Sequence, residues 1–531
     1  MSTKHIVLII LDGWGMAPKN RGNAIELARK PNFDELWKKY PHTILKAHGH
    51  SVGLPDNQVG NSEAGHMNIG AGRRVPQDSL LISEAISDGR FQKNLALKTL
   101  IEHVRKNNSA LHLLGIVSGA DSPHSSHDHL YALVNLAYAR GLRKIFLHLI
   151  TDGRDAPQFS ALEIIDKVLK NIYGKAVIAS MMGRFFAMDR GKNWERTRKA
   201  YECLAGGHCH CFRDYRDAIA DAYNQKITDE FIEPAIICNS KKQGRETRIR
   251  DNDGVIFFNL RSDRARQLTK CFVQKNFNQL SPRAFRRSRV AENLKFCALT
   301  DFGPDLDDIL TAFPSKDIKA TLPMLLKDKK QIYIAETEKY AHMTYFINGG
   351  YADPVNGEER VRIPSLKIRN YAEKPEMRAY EIAKKVIGLI RKNKHDFIAV
   401  NFANPDMVGH TGNLEATVRA IEHVDVCLGK IVDCALRKKN VIIITADHGN
   451  AEKMIDLKTN EVWTEHTINP VPFIFVSGQH ANVKLRTGAL ADIAPTIYKL
   501  FGLKTPRILN RNLMERQKNK KSRKQYKRDA R

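Results

Sequence analysis

The sequence predicts an α/β protein built on mainly parallel sheets, and three observations carry that reading. Short runs rich in Val, Ile and Leu recur along the chain, amphipathic helical patterns separate several of them, and three of the runs end in acid-rich loops. Continuous apolar runs of this length suit strands covered on both faces, as in a parallel sheet with helical crossovers.

In chain order the runs are HIVLIIL (5–11), LHLLGIV (111–117), KIFLHLI (144–150), AVIAS (176–180), GVIFFN (254–259), DFIAVNF (396–402) and NVIIITA (440–446). Among the connections, FSALEIIDKVLKNIY and EMRAYEIAKKVIGLIRKN space their apolar residues along one helical face. No period of 20 to 50 residues marks a repeat architecture. With 531 residues, 42% of them hydrophobic, the chain can bury more than one core, and two or more domains are expected. No apolar run approaches the roughly 20 residues of a membrane span. The opening MSTKHIVLIILDG is too short in its apolar part and too acidic at its end for a signal peptide, so a cytoplasmic location is expected.

Lys and Arg number 85 against 58 Asp and Glu, a net charge of +27 that favours anionic partners of any kind. The last segment, ERQKNKKSRKQYKRDAR (515–531), is almost wholly polar or charged and reads as a disordered tail capable of weak, nonspecific nucleic-acid contact. SPRAFRRSR (281–289) lacks the aromatic interleaving of a nucleic-acid reader and is expected to be a surface loop. The eight cysteines show no Cys-x-x-Cys spacing and read as reduced core residues, with Cys427 and Cys434 on one helical face. In GHCHCFRD, the adjacent His208, Cys209, His210 and Cys211 have no evident second half-site, which favours a loop over a zinc clip.

Ligands of open α/β sheets lie beyond the carboxyl ends of the strands. Three runs lead there into candidate metal ligands: the first into Asp12, DFIAVNF into Asp406 and His410, and NVIIITA into Asp447 and His448, with His466 further on. Asp406 and His410 are four apart and share a face if a helical turn opens at Pro405. Asp447 and His448 are adjacent, but Gly449 and Asn450 signal a turn on which both can converge or address two different ions. Carboxylates and imidazoles without thiolate suit Mn²⁺ or Zn²⁺, with Mg²⁺ possible, and the ligand number suits two ions. VGNSEAGHMNIGAG (59–72) alone reads as a turn holding an incidental serine. Beside two metals, Ser62 becomes a candidate nucleophile that coordination can activate, and the glycines give close access. His66 in the same loop is given no role.

Taken together, LDGWG, GNSEAGHMNIGAGR, TDGRDAP, GRFFAMDR, FFNLRSDRARQLT, ETEKYAHMTYFINGG, NFANPDMVGHTGN, TADHGNAE and EHTINPVP, in this order from Lys4 to about Met514, resemble the cofactor-independent (2,3-bisphosphoglycerate-independent) phosphoglycerate mutases of the alkaline phosphatase superfamily. The resemblance implies an alkaline-phosphatase-like three-layer domain made of 1–77 and 313–514, and an α/β transferase domain (78–312) inserted into it. It implies one ion on Asp406, His410 and His466, and another on Asp12, Ser62, Asp447 and His448, Mn²⁺ being the expected metal. Ser62 would accept the phosphoryl group of 3-phosphoglycerate and return it to the 2-hydroxyl of glycerate, giving 2-phosphoglycerate, with Lys339 offsetting charge. His124, Arg154, Asp155, Arg184, Arg190, Arg261 and Arg264, with Lys339, would hold the substrate. Hinged closure near RVPQDS and TAFPSKD would keep water from the phosphoserine, and a monomer is expected.

Around His124 the chain reads SGADSPHSSHDH where the family carries glycines and a second histidine, which leaves His127 or His129 as substitutes. At the start of a helix these two are expected to be exposed or capping. The rival readings are a phosphatase, sulfatase or phosphopentomutase of the same superfamily, against which the arginine set argues, and a non-catalytic polyanion-binding scaffold.

Overall fold

The computed structural model describes residues 3–515 apart from 120–121, 239, 304, 307, 316–317, 369 and 479–482. The basic tail beyond Glu515 lies outside the described residues. Two compact units form, Met1–Gln77 with Asp317–Arg531, and Asp78–Lys316.

Strands are numbered in chain order. In the first unit β1 (Ile6–Leu11), β2 (His42–Lys46), β11 (Gln331–Glu336), β12 (Glu359–Ile363), β13 (Phe397–Phe402), β14 (Val441–Thr445), β15 (Val471–Val476) and β16 (Gly488–Ala489) make one sheet, ordered β12-β11-β13-β1-β14-β15-β2-β16. In the second, β3 (Leu111–Ile116), β4 (Ile145–Thr151), β5 (Val177–Gly183), β6 (His210–Phe212), β7 (Ala235–Ile237), β8 (Gly254–Phe257), β9 (Lys295–Thr300) and β10 (Leu310–Phe313) are ordered β10-β9-β8-β3-β4-β5-β7-β6.

All seven apolar runs are strands, and each takes part in parallel pairing. The reason is visible in β1, whose six residues are all buried between the covering layers. The helix Ala161–Ile172 buries Ile165, Val168 and Ile172, and Ala379–Lys392 buries Ile382, Ala383, Val386 and Ile390, the stripes their spacing predicts. The second of these helices stops at Asn393 in a left-handed conformation, φ +52°. At the far side of β14 the first sheet turns antiparallel, through β15 and β2. No helix among the described residues is long and apolar enough to cross a membrane.

Three expectations are corrected here. The expected boundary at 312/313 falls within β10, where Phe313 pairs with Thr300 of β9, so the second unit continues to Lys316. The cysteines are not uniformly reduced: Cys271, Cys297, Cys427 and Cys434 are free and buried, but Cys203 is bonded to Cys209 and Cys211 to Cys238. GHCHCFRD is accordingly not a loop with incidental residues, because His210–Phe212 is a strand, and Cys203 and Cys238 on either side of the segment supply the partners.

Candidate metal centre and anion site

In the first unit, four adjacent strands (β11, β13, β1 and β14) run parallel, and their carboxyl ends supply the cluster. Asp12 follows β1. Asp406 sits in the first turn of the helix Asn404–Gly409, where Pro405 fixes the opening, and His410 follows its last residue. Lys339 closes the turn Thr337–Lys339 after β11, and Asp447 and His448 follow β14. Ser62 opens the helix Ser62–Ala71, whose N-terminus is capped by the Asn61 side chain accepting from the Ala64 N–H.

The glycines work here mainly by letting segments meet. Gly13 has φ +74°, and a Cβ on it would lie 2.9 Å from the Asp406 Cα. A Cβ on Gly65 would lie 2.6 Å from the Asp447 carbonyl oxygen, so the Ser62 helix reaches β14 only without one.

The side chains converge tightly. Ser62 Oγ lies 2.9 Å from His448 Nε2, accepts from Lys339 Nζ at 2.7 Å and donates to Asp12 Oδ1 at 3.3 Å. The Lys339 ammonium is also 2.6 Å from Asp12 and 2.5 Å from Asp406. Asp406 Oδ1 is 3.3 Å from His410 Nε2 and 3.2 Å from His466 Nε2. His448 Nε2 stands between the carboxylates, 3.5 Å from Asp12, 3.4 Å from Asp447 and 3.8 Å from Asp406. Asp406, His448 and His466 can direct one ligand atom each at one ion, and so can Asp12, His66 and Asp447.

His66 was the residue without a role, and Asn401 was not singled out. His66 Nδ1 lies 2.9 Å from the Ser62 carbonyl and 3.2 Å from Asp447 Oδ2, while Asn401 Nδ2 spans His66 Nε2 at 3.1 Å and Asp12 Oδ2 at 2.7 Å. The available signal was spacing: His66 is four residues after Ser62, one turn along the same helix face. Outer contacts orient the imidazoles, His410 Nδ1 to the Thr464 carbonyl at 2.7 Å and His466 Nδ1 to the Gly60 carbonyl at 2.8 Å.

Three buried carboxylates face one ammonium, and the electrostatics follow. Burial, then the charge of Asp447, raises the Asp12 carboxyl to about 7, with Lys339 opposing. Burial also works against ionised Asp406 and Asp447, but Lys339 with His410, and His448 with His66, hold the two well below the usual range. Burial opposes the charge on Lys339 too, and the three carboxylates outweigh it and raise its pKa. The set remains short of positive charge, and fully buried Asp447 Oδ2 has the His66 and His448 imidazoles 3.2 and 3.4 Å away. Oxygen and imidazole donors gathered around three buried carboxylates with one ammonium fit divalent ions.

The second unit gathers the other candidates, again at strand carboxyl ends. Arg184, following β5, donates from Nη1 to Asp152 and Asp155, both at 2.6 Å, and its Nη2 is 3.0 Å from His124 Nε2. His124 Nε2 is also 3.0 Å from Asp155, while Arg190 and Arg261 flank Asp263 at 2.5 and 3.5 Å. Arg154 is largely exposed, 3.6 Å from Glu230. Burial, then the positive charge of Arg190, lowers the Arg264 pKa, with Arg184 and Arg154 adding to it. These guanidinium groups repel one another, so an anion is the complementary ligand.

Asp152 was not singled out, although it ends β4 as Asp12 ends β1. It accepts from Arg184, from the Ser118 hydroxyl and from the N–H groups of Arg154 and Asp155. His129 corrects an expectation: it is fully buried, bonded to Ser83 at 3.0 Å, because the helix His127–Ala139 turns it inward.

The fold and the paired carboxylate and imidazole groups define a metal-dependent α/β enzyme, and the family model for the metalloenzyme superfamily matches residues 4–505. The chain is 45% identical to a 2,3-bisphosphoglycerate-independent phosphoglycerate mutase of Clostridium botulinum, over 96% of this chain and 99% of that one. It is 42% identical to the enzyme of the same name from Acetivibrio thermocellus, over 96% and 98%. A crystal structure of Leishmania mexicana phosphoglycerate mutase, determined at low cobalt concentration, superposes with a TM-score of 0.77 at 29% identity, covering 97% and 98%. The chain belongs to the 2,3-bisphosphoglycerate-independent phosphoglycerate mutase family.

Proposed function

We propose that this chain interconverts 3-phosphoglycerate and 2-phosphoglycerate, an isomerisation of glycolysis and gluconeogenesis, through a phosphoserine on Ser62 and without 2,3-bisphosphoglycerate. The observation that carries the proposal is the position of Ser62 Oγ, held between His448 and the Lys339 ammonium at the junction of two potential metal groups.

Asp406, His410 and His466 would hold one ion and Asp12, Ser62, Asp447 and His448 the other, with Mn²⁺ the expected metal. Bound there, the ions would supply Lewis-acid stabilisation and a more acidic serine hydroxyl. Ser62 Oγ forms a bond to phosphorus as the bond to the 3-oxygen breaks, leaving glycerate. The glycerate 2-hydroxyl then attacks the same phosphorus and the bond to Oγ breaks. Lys339, beside Oγ, offsets the negative charge that develops in both steps. In the second unit, Arg184, Arg190, Arg261, Arg264 and Arg154 bind the carboxylate and phosphate, and Asp155 and His124 engage a glycerate hydroxyl. We read the enzyme as a monomer acting in the cytoplasm.

The test is direct. Purified protein stripped with chelator is expected to lose activity and to regain it with Mn²⁺, converting 3-phosphoglycerate to 2-phosphoglycerate with no bisphosphoglycerate added. Stoichiometric release of inorganic phosphate in place of the isomer would identify a phosphatase and overturn the proposal. Asp152→Asn removes one charge-assisted hydrogen bond to Arg184, worth about 1.5–3 kcal/mol. It is expected to raise KM for phosphoglycerate roughly 10- to 100-fold with a smaller change in kcat. An unchanged KM would show that Arg184 keeps its place without it.

A further inference from the structure

The GHCHCFRD segment finds a use outside the mutase chemistry. The helix Trp194–Ala205 carries Cys203 in its last turn, and the chain then reverses at Gly206, φ +125°, with the N–H groups of Gly206 and Gly207 both donating to the Glu202 carbonyl. The reversal returns Cys209 to Cys203, six residues on, with a Cα–Cα distance of 5.1 Å. Cys211 lies in β6, the edge strand of the second sheet, and Cys238 directly follows its neighbour β7. The Cys238 N–H donates to the Phe212 carbonyl at 2.8 Å, extending that ladder, and the Cα atoms of Cys211 and Cys238 are 6.2 Å apart. Both separations lie in the range a disulfide spans without backbone movement.

The two bonds share a polarity. Cys203 and Cys238 are buried together with Ile236, whereas Cys209 is half-buried and Cys211 is exposed. Each bond therefore joins a buried cysteine to one that is less buried, Cys211 being the more exposed of the outer two. The remaining cysteines contrast with this: Cys271, Cys297, Cys427 and Cys434 are single and buried, and burial pushes the thiols of Cys297 and Cys427 up to about 12. Buried thiols of that kind are inert, while accessible disulfide sulfurs undergo exchange.

We propose that Cys203–Cys209 and Cys211–Cys238 form a paired thiol–disulfide exchange site on the edge of the second sheet, reversibly reduced by a dithiol. A reductant thiolate attacks the accessible sulfur of Cys211, forming a mixed disulfide and releasing Cys238 as thiolate. The second thiolate of the reductant attacks its own bridged sulfur, releasing Cys211 and closing the reductant's disulfide. Two electrons pass to the protein, and the two cysteine thiolates take up two protons. Cys209 and Cys203 follow the same course. Because one bond joins β6 to the residue after β7 and the other holds the residue just before β6, oxidation fastens an edge strand of three residues whose ladder pairing is to β7. The proposal is independent of the mutase assignment.

The test uses the full chain equilibrated with oxidised glutathione, then denatured and alkylated before mass analysis. Four of the eight cysteines are expected to be labelled, with peptides joined through Cys203–Cys209 and Cys211–Cys238. Dithiothreitol applied to the native chain is expected to bring the label to all eight and to lower the melting temperature. Cys211→Ser is expected to free Cys238 alone, and Cys209→Ser to free Cys203 alone. Eight labelled thiols after oxidation, other linkages, or bonds that native dithiothreitol leaves intact would each overturn the proposal.

Discussion

Ser62→Ala is expected to lower mutase turnover by roughly 10⁴-fold or more, the scale seen when a nucleophile is removed from an otherwise complete site. The oxygen lost is the one that Lys339, His448 and Asp12 surround. The variant should keep most of its metal, because Asp12, Asp406, Asp447, His410, His448 and His466 remain. Metal analysis beside a rate measurement therefore separates loss of the nucleophile from loss of the site. Wild-type protein given 3-phosphoglycerate carrying a labelled phosphoryl group is expected to hold label on the peptide containing Ser62, and the variant none. Turnover retained by Ser62→Ala would end the phosphoserine mechanism.

Lys339→Met is the second large effect, and it is expected to act on stability as well as on rate. Lys339 is only 4% exposed and stands among Asp12, Asp406 and Ser62. Removing one partner of a buried charge set costs about 3–5 kcal/mol, because the carboxylates left behind have no compensating cation. Chelator-treated variant should melt well below chelator-treated wild type. Divalent metal should raise its melting temperature by more than it raises the wild type's, since the ions then provide the only nearby positive charge beyond the imidazoles. The rate with metal present should fall by about 10²–10³-fold, the cost of losing one preorganised donor at a developing charge. Equal melting temperatures without metal would show that Lys339 does not balance these carboxylates.

The legible part of the site followed from local rules. Asp12, Asp406 and Asp447 are each placed by the end of an apolar strand, and Pro405 sets the turn that puts His410 beyond Asp406. Asp152 obeys the same strand-end rule, but in the sequence it is masked by Arg154 and Asp155, of which the arginine matches an anionic substrate by its charge alone. His66 and Asn401 are different. Spacing sets His66 one turn after Ser62, but its contacts with Asp447 and Asn401 join distant parts of the chain, as does that of Asn401 with Asp12, 389 residues away, and no spacing rule reaches that distance. The antiparallel strands β15 and β2 also escaped, since β2 is short and half-exposed and Pro472 interrupts the pattern of β15.

By itself, the sequence determined the class of fold, seven of the strands that run parallel and the family, because periodicity and motif order are properties of neighbouring residues. Tertiary structure alone decided which carboxylates share the Lys339 ammonium, that His66 stands against Asp447, and that Cys209 and Cys211 have partners. Apart from the Cys203–Cys209 pair, six residues apart, those facts depend on strands and helices far apart in the chain arriving at one place. Sheet order and the close approach allowed at Gly13 and Gly65 bring about that arrival in the metal centre, and the reversal at Gly206 with the β6–β7 ladder does so for the cysteines.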